Sequence, residues 1–423
     1  MVEIWLPYGR TEVSVRVPEE NFRGTIEVKG DDPLENPAFH TRRSLQSPIG
    51  SKPLPSMVKT GEKAVLVIDD AARPAIVNDL IPPVISELVG AGLRPEDITI
   101  LFGANMQGTT QIEQMSQVRG AEFANRVKIL NHDYRSSVFL HVGDTSHGTK
   151  VFLNEVFVKA DVKILVGNVA LHPYVGYTGG RTGVLPGVSG EQTVLHNHSL
   201  IAHVNARPGV IDGNPISEDM TEAAELAKVD LIINAVLNRR GQIVRVFSGN
   251  LHEAFRSAFQ TADNLFKVPC ESKVDVAVVS PGGTPEDTTL CRSIQTVSYA
   301  LNTVKDGGAI VLVAECSHGH GNQVFTEWMG KFDKPQQFEQ EIARRFAIGG
   351  QYAYLLMKAL EKARVYLVST IPDYYVSNVF KMRPGRTATA ALQTALRTIG
   401  KDSDVIVIPH GASTLPVHTE HGS

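Results

Sequence analysis

Short runs of valine, isoleucine and leucine recur along this chain and constrain its fold more than any other feature. KAVLVID, DITILFG, VKILNHD, VKILVGNV and DLIINAVL follow one another between residues 63 and 237, bounded by Gly, Asp or Asn. Apolar continuity over so short a length predicts strands buried on both faces, as in a parallel sheet. Helical patterns such as ISELVGAG, TQIEQMSQVRG and TEAAELAKV lie between several of them. This alternation implies an α/β fold, with mostly parallel sheets flanked by helices and joined by right-handed crossovers.

The pattern then starts again. An amphipathic stretch, LHEAFRSAFQTADNLFKV, leads through PCESK into a second series of strand-like runs, VDVAVVS, GAIVLVAEC, ARVYLVST and DVIVIPHG. Helical patterns cover 293–304, 337–363 and 387–399. A chain of 423 residues exceeds what one core usually supports. Two domains are therefore expected, residues 1–270 and 271–423, with the boundary near Pro269–Lys273 and the active-site cleft between them. The first sixty residues read as short β-like runs and turns, and STLPVHTEHGS reads as a loose tail.

Charge and composition exclude several classes. A formal net charge of −4 offers no basic excess for nucleic acid. No run approaches the ~18 apolar residues of a membrane span, and MVEIWLPYGR lacks a signal-peptide pattern. A cytoplasmic protein is expected. Cys270, Cys291 and Cys316 show no CxxC spacing and read as buried thiols.

Ligands of open α/β sheets sit at the carboxyl ends of strands, and polar clusters fall there. DDAARP follows the first run, with Arg73 a planar fork for carboxylate or phosphate, or else half of an Asp70–Arg73 helix-capping pair. LHPYVGYTGGRTGVLPG follows VKILVGNV. Its glycines permit positive φ and close approach to a ligand such as phosphate, or simply tight turns. It is neither a Walker A nor a G-x-G-x-x-G pattern. His172 opens that loop, and His196 and His198 follow in LHNHS. An i, i+2 pair cannot share one helix face, so a solvent-exposed His196 and a functional His198 are expected. Gln295 reads either as a site residue or as a solvated helix position. His318 and His320 read as structural.

Taken together, LPYGRTEVSVRVP, DDAARP, NHD, LHPYVGYTGGRTGVLPG, LHNH, VKDGGAIVLVAECSHGHG and IGGQYAYLLMKALEKARVYLVS resemble the nickel-pincer-nucleotide lactate racemases and their 2-hydroxy-acid relatives. The resemblance implies nickel held by a pyridinium-3,5-bisthiocarboxylic acid mononucleotide, made by dedicated biosynthesis enzymes, and reversible hydride transfer at C2 of a small 2-hydroxy acid. It places the metal ligand at His198 and an acid/base histidine at His172, an apt group because imidazole titrates near working pH. It places cofactor contacts at Asp70, Thr178, Gly179, Gly180, Arg181 and Thr182, all in the N-terminal domain. Substrate contacts fall at Arg73, Gln295 and Ser298.

Three departures stand out. Met106 occupies the position of the second acid/base histidine, Thr182 that of the cofactor-tethering lysine, and Ser298 that of a second carboxylate-binding cation. A non-covalently held cofactor is therefore expected, with malate or another acid larger than lactate as substrate. The second proton-handling group could be His132, Tyr174, Tyr177 or a water, or His172 could serve both enantiomers. The alternatives are an altered or inactive homologue that binds nucleotide or hydroxy acid without turnover, and a cofactor-free metal enzyme built on His172 and His198.

Overall fold

A computed structural model describes residues 1–28, 30, 32–68, 75–103 and 126–418. The chain forms two compact units, Met1–Lys29 with Leu265–Ser423, and Gly30–Asn264. The first 29 residues, expected with the N-terminal domain, thus lie in the unit that begins again at Leu265. β1 (Val2–Tyr8) and β2 (Thr11–Val17) pair as an antiparallel hairpin. Its apolar face puts Leu6, Val15 and Val17 into the core of that unit. β3 (Phe22–Thr25) is the edge strand of that unit's six-stranded sheet. The hairpin's partners lie more than 250 positions away, so nothing local in the sequence assigns it to that unit.

In the middle unit, α1 (Pro37–Gln46) is a helix where the sequence suggested only strands and turns. Asn36 caps it by accepting the Phe39 N–H, with Pro37 at its first position. The five apolar runs form β4 (Ala64–Ile68), β5 (Ile98–Phe102), β6 (Lys128–Asn131), β9 (Val162–Val169) and β12 (Leu231–Leu237). Between β6 and β9 lies a hairpin of β7 (Phe139–Asp144) and β8 (Lys150–Asn154). With antiparallel β13 (Ile243–Gly249) at the edge, the sheet order is β13-β12-β9-β4-β5-β6. α2 (Ile81–Gly90) packs its apolar residues on one face of this sheet. Chain order reverses between β4 and β9, and such a switch point opens a crevice at the strands' carboxyl ends. The loop carrying His172 leaves β9 there. TQIEQMSQVRG lies outside the described residues.

That loop is a tight hairpin of β10 (Leu171–His172) and β11 (Gly176–Tyr177). α3 (Glu191–Ser199), α4 (Pro215–Leu226) and α5 (Glu253–Phe266) complete the unit.

The other unit carries β14 (Lys267–Cys270), β15 (Val274–Val279), β16 (Val304–Val313), β17 (Arg364–Val368), β18 (Arg383–Pro384), β19 (Val405–Ile408) and β20 (Leu415–His418). Its parallel sheet runs β18-β17-β16-β15-β19-β3. α6 (Leu290–Ala300), α7 (Gln323–Lys331), α8 (Pro335–Arg345), α9 (Gly350–Lys362) and α10 (Ala388–Ile399) accompany it. The helix expected over 337–363 is two helices. Gly349 breaks it at φ +111°, where a Cβ would meet Asn322 Oδ1 at 2.0 Å. Within the expected loose tail, β20 pairs with β14 and buries Leu415, and residues 419–423 lie outside the described residues. All three cysteines are free and buried, as expected.

Candidate active site

Two imidazoles flank one phenol. The Tyr174 ring, buried, lies 4.4 Å from the His172 ring at 85° and 5.5 Å from the His198 ring at 73°. On α3, His196 is exposed, as expected, and His198 is only 2% exposed.

Hydrogen bonds fix the tautomer of each ring. His198 Nδ1 lies 3.1 Å from the Val194 carbonyl, which can only accept, so Nδ1 carries the proton and the lone pair sits on Nε2. Metal-ligating histidines are commonly oriented in this way. Burial pushes the pKa of His198 down to about 4 against a small opposing effect of that bond. His172, although partly accessible, is pushed down to about 3, by desolvation first, then by His198 and Arg181. Both rings are neutral at pH 7. His172 Nδ1 accepts the Val175 N–H at 3.2 Å, so its resting proton is on Nε2.

The glycines serve the chain itself. Gly176 has φ +85°, and a Cβ there would sit 2.1 Å from the Val210 carbonyl oxygen. One on Gly179 would sit 2.7 Å from Val169 Cγ2 and 3.1 Å from the Asn168 carbonyl. The Gly179 N–H donates to Thr182 Oγ1 at 2.9 Å, and the Gly180 N–H to Asn234 Oδ1 at 3.0 Å. Thr178 Oγ1 donates to the Asn168 carbonyl at 2.9 Å. The bare backbone fits β9 and its neighbours closely, and these two amides are engaged within the protein rather than offered to a phosphate.

Arg181 is 2% exposed, donates to Ser217 Oγ at 2.9 Å and to the Tyr177 carbonyl at 3.2 Å, and lies 4.2 Å over the Phe255 ring. It borders a cavity of about 560 Å³ with Ser217, His147, Phe255 and Phe259, whose lining includes neither His172 nor His198.

Two of the suggested proton-handling groups are committed elsewhere. His132 Nδ1 accepts from Asn154 Nδ2 at 3.1 Å and Nε2 meets the Ser189 carbonyl at 2.9 Å. The Tyr177 hydroxyl donates to Asp263. Burial holds the His132 pKa below its ordinary value. The unfolded chain then binds more protons than the folded one below pH ~6.5. Stability is full above that pH and falls as pH drops. In thermal melts of the apoprotein between pH 7 and 5, His132→Gln is expected to give a shallower fall in melting temperature than wild type.

Asp70, Arg73 and Met106 lie outside the described residues. Gln295 and Ser298 are partly exposed on α6 of the other unit, and Ser298 Oγ donates back to the Ile294 carbonyl at 3.4 Å. Arg292, one turn before Gln295 and 3.6 Å from Glu286, is the cation on this part of the helix. It was not singled out from the sequence, although its i, i+3 spacing from Gln295 was readable. His318 is exposed, and His320 bonds Thr326 Oγ1 at 2.9 Å and stands near the Tyr375 and Phe380 rings.

Against the nickel-pincer nucleotide implied by resemblance, this donor set fits at the metal end. His198 presents a neutral nitrogen of fixed tautomer. It does not fit at the tether, because Thr182 is 5% exposed and its hydroxyl caps Gly179. Among the described residues no three His, Cys, Asp or Glu side chains converge on a metal site. Nor, among them, is any helix long and apolar enough to cross a membrane.

Comparisons with known proteins agree with this layout. The family model for the lactate racemase N-terminal domain matches residues 8–209, and that for the C-terminal domain residues 270–415. A lactate racemase from Thermoanaerobacterium thermosaccharolyticum is 28% identical over 425 residues, spanning 98% of this chain and 99% of its own. One from Lactiplantibacillus plantarum is 28% identical over 430 residues, spanning 98% and 100%. The solved lactate racemase apoprotein from T. thermosaccharolyticum matches with a TM-score of 0.91, over 98% of this chain and 100% of that one. A Thermotoga maritima protein shares the fold at a TM-score of 0.69 and 16% identity, over 93% of this chain and 100% of its own. The chain belongs to the lactate racemase family.

Proposed function

We propose that this protein is a racemase or epimerase of 2-hydroxy acids that uses a non-covalently held nickel-pincer nucleotide, with malate or another acid larger than lactate as substrate. The observation that carries the reading is the pair of neutral imidazoles around Tyr174, one of them with its Nε2 lone pair fixed by the Val194 carbonyl. When bound, the nucleotide supplies a reversible acceptor for the C2 hydrogen and its electron pair. His198 Nε2 holds its nickel.

His172 handles the hydroxyl proton at Nε2. To accept it there, the ring moves its own proton to Nδ1, and the 3.2 Å Val175 contact opens. A pKa near 3 belongs to the ring without substrate. A carboxylate brought beside it raises that value, since opposite charge favours the imidazolium. Arg73, Gln295 and Ser298 belong to the substrate contacts on the resemblance alone. Asp70 belongs to the cofactor contacts on the resemblance alone. Cofactor biosynthesis enzymes supply the nucleotide.

Loaded protein incubated with single enantiomers of lactate and malate is expected to erode the optical purity of malate faster. Unchanged purity of every acid, with nickel retained, would instead establish binding without turnover, the reading favoured by the buried Thr182 hydroxyl. Denaturing mass spectrometry of active loaded protein is expected to give the bare chain mass, and a covalent adduct would refute the non-covalent grip.

A further inference from the structure

Behind His198 lies a buried polar network that the proposed reaction does not use. Asp219, on α4, is 0% exposed. Its Oδ1 accepts the Thr145 hydroxyl. Its Oδ2 accepts the Thr149 hydroxyl at 2.7 Å and Asn197 Nδ2 at 2.8 Å. Asn197, also 0% exposed, uses its amide a second time on the Ile216 carbonyl at 3.1 Å. The Thr149 hydroxyl, its proton given to Asp219, lies 2.8 Å from His196 Nδ1, and the Thr149 N–H donates to Thr145 Oγ1 at 3.1 Å. The β7–β8 turn, α3 and α4 therefore converge on one carboxylate.

These bonds grip α3 at His196 and Asn197, the two positions immediately before His198. A helix rotates as a unit, each residue step turning it by about 100°. A grip on Asn197 therefore sets where the His198 imidazole points. The Val194 carbonyl then fixes which nitrogen faces outward. A buried carboxylate with three donors from two other segments is costly to rearrange, because any bond lost leaves an unsatisfied polar atom out of reach of water.

We infer that Asp219 and Asn197 are positioning residues that lock the rotation of α3 and so aim His198 at the nickel. The inference rests on the proposed metal role of His198, and its test separates the two. The measurement is the rate of nickel release from loaded protein to an excess of chelator, with the melting temperature of each apoprotein recorded alongside. Asn197→Ala and Asp219→Asn are expected to speed release by ~10–100-fold, the usual effect of removing support behind a ligand. Thr149→Val is expected to speed it as well, while Thr149→Ser, which keeps the hydroxyl, restores the wild-type rate. Val407→Ala, a fully buried site in the other unit, serves as the destabilised control and is expected to leave release unchanged.

If His198→Ala loses nickel readily but Asn197→Ala, Asp219→Asn and Thr149→Val release it at the wild-type rate, the positioning role is wrong while the metal role stands. If His198→Ala itself holds nickel as wild type does, the metal role fails first. Should Val407→Ala release nickel as fast as the network variants, general loosening explains the effect and the inference is overturned. Where Asp219→Asn does not fold, Thr149→Val and Thr149→Ser decide the matter alone.

Discussion

His198→Ala protein, loaded in parallel with wild type, is expected to leave gel filtration without nickel and to racemise no hydroxy acid above background. On the proposed non-covalent hold, the His198–nickel bond is what retains the nucleotide. Outer-shell partners of metal ligands commonly cost ~10–100-fold in affinity when removed, so loss of the ligand itself should exceed ~100-fold. Stability should fall modestly. His198 is a buried neutral imidazole whose Nδ1–H meets a carbonyl of its own helix. Its removal leaves no buried charge but opens a cavity beside Tyr174. Nickel content by elemental analysis and the apoprotein melting temperature check both halves. Wild-type nickel content in the variant would contradict the assignment.

Gly176→Ala is expected to be the most damaging single methyl in the loop. The new Cβ would lie 2.1 Å from the Val210 carbonyl oxygen, on a backbone at φ +85° that L-residues avoid. The left-handed conformation alone costs ~1–2 kcal/mol. Main chain cannot swing aside as a side chain can, and Val210 is held by Asn214 Nδ2, which also bonds the Tyr174 carbonyl at 2.9 Å. A total loss of about 3 kcal/mol or more is expected, roughly 6–12 °C in melting temperature. Gly241→Ala separates the two contributions, because Gly241 has φ +73° with nothing near its Cβ position. It should lose only the conformational part. Equal effects at both positions would show that the glycine-rich loop is not packed as described.

That loop shows what could be read in the sequence and what could not. Val162–Val169 and its sister runs are strands because continuous β-branched and aliphatic residues have no polar face to turn outward, and that is a local property. That His196 and His198 face different ways followed from helical geometry over three residues. The glycines announced a special backbone but not its cause. Val210 and Asn234, which they fit against, are distant in sequence and carry no mark of it. The same holds for Asp219, whose partners Thr145, Thr149 and Asn197 come from two other segments. The β1–β2 hairpin was legible as strands, but its unit was not. It is placed by contacts such as the Gly9 N–H on Asp287 Oδ2 at 2.6 Å, between residues 278 positions apart.

The most direct test of the account is a single incubation of loaded wild-type protein with the L-enantiomer of malate carrying deuterium at C2, in ordinary water. Chiral separation with mass detection should find both enantiomers, each with the deuterium still on C2, because the hydrogen leaves and returns without meeting solvent. Protium at C2 of the newly formed enantiomer, or L-malate recovered unchanged from protein that holds its nickel, would contradict it.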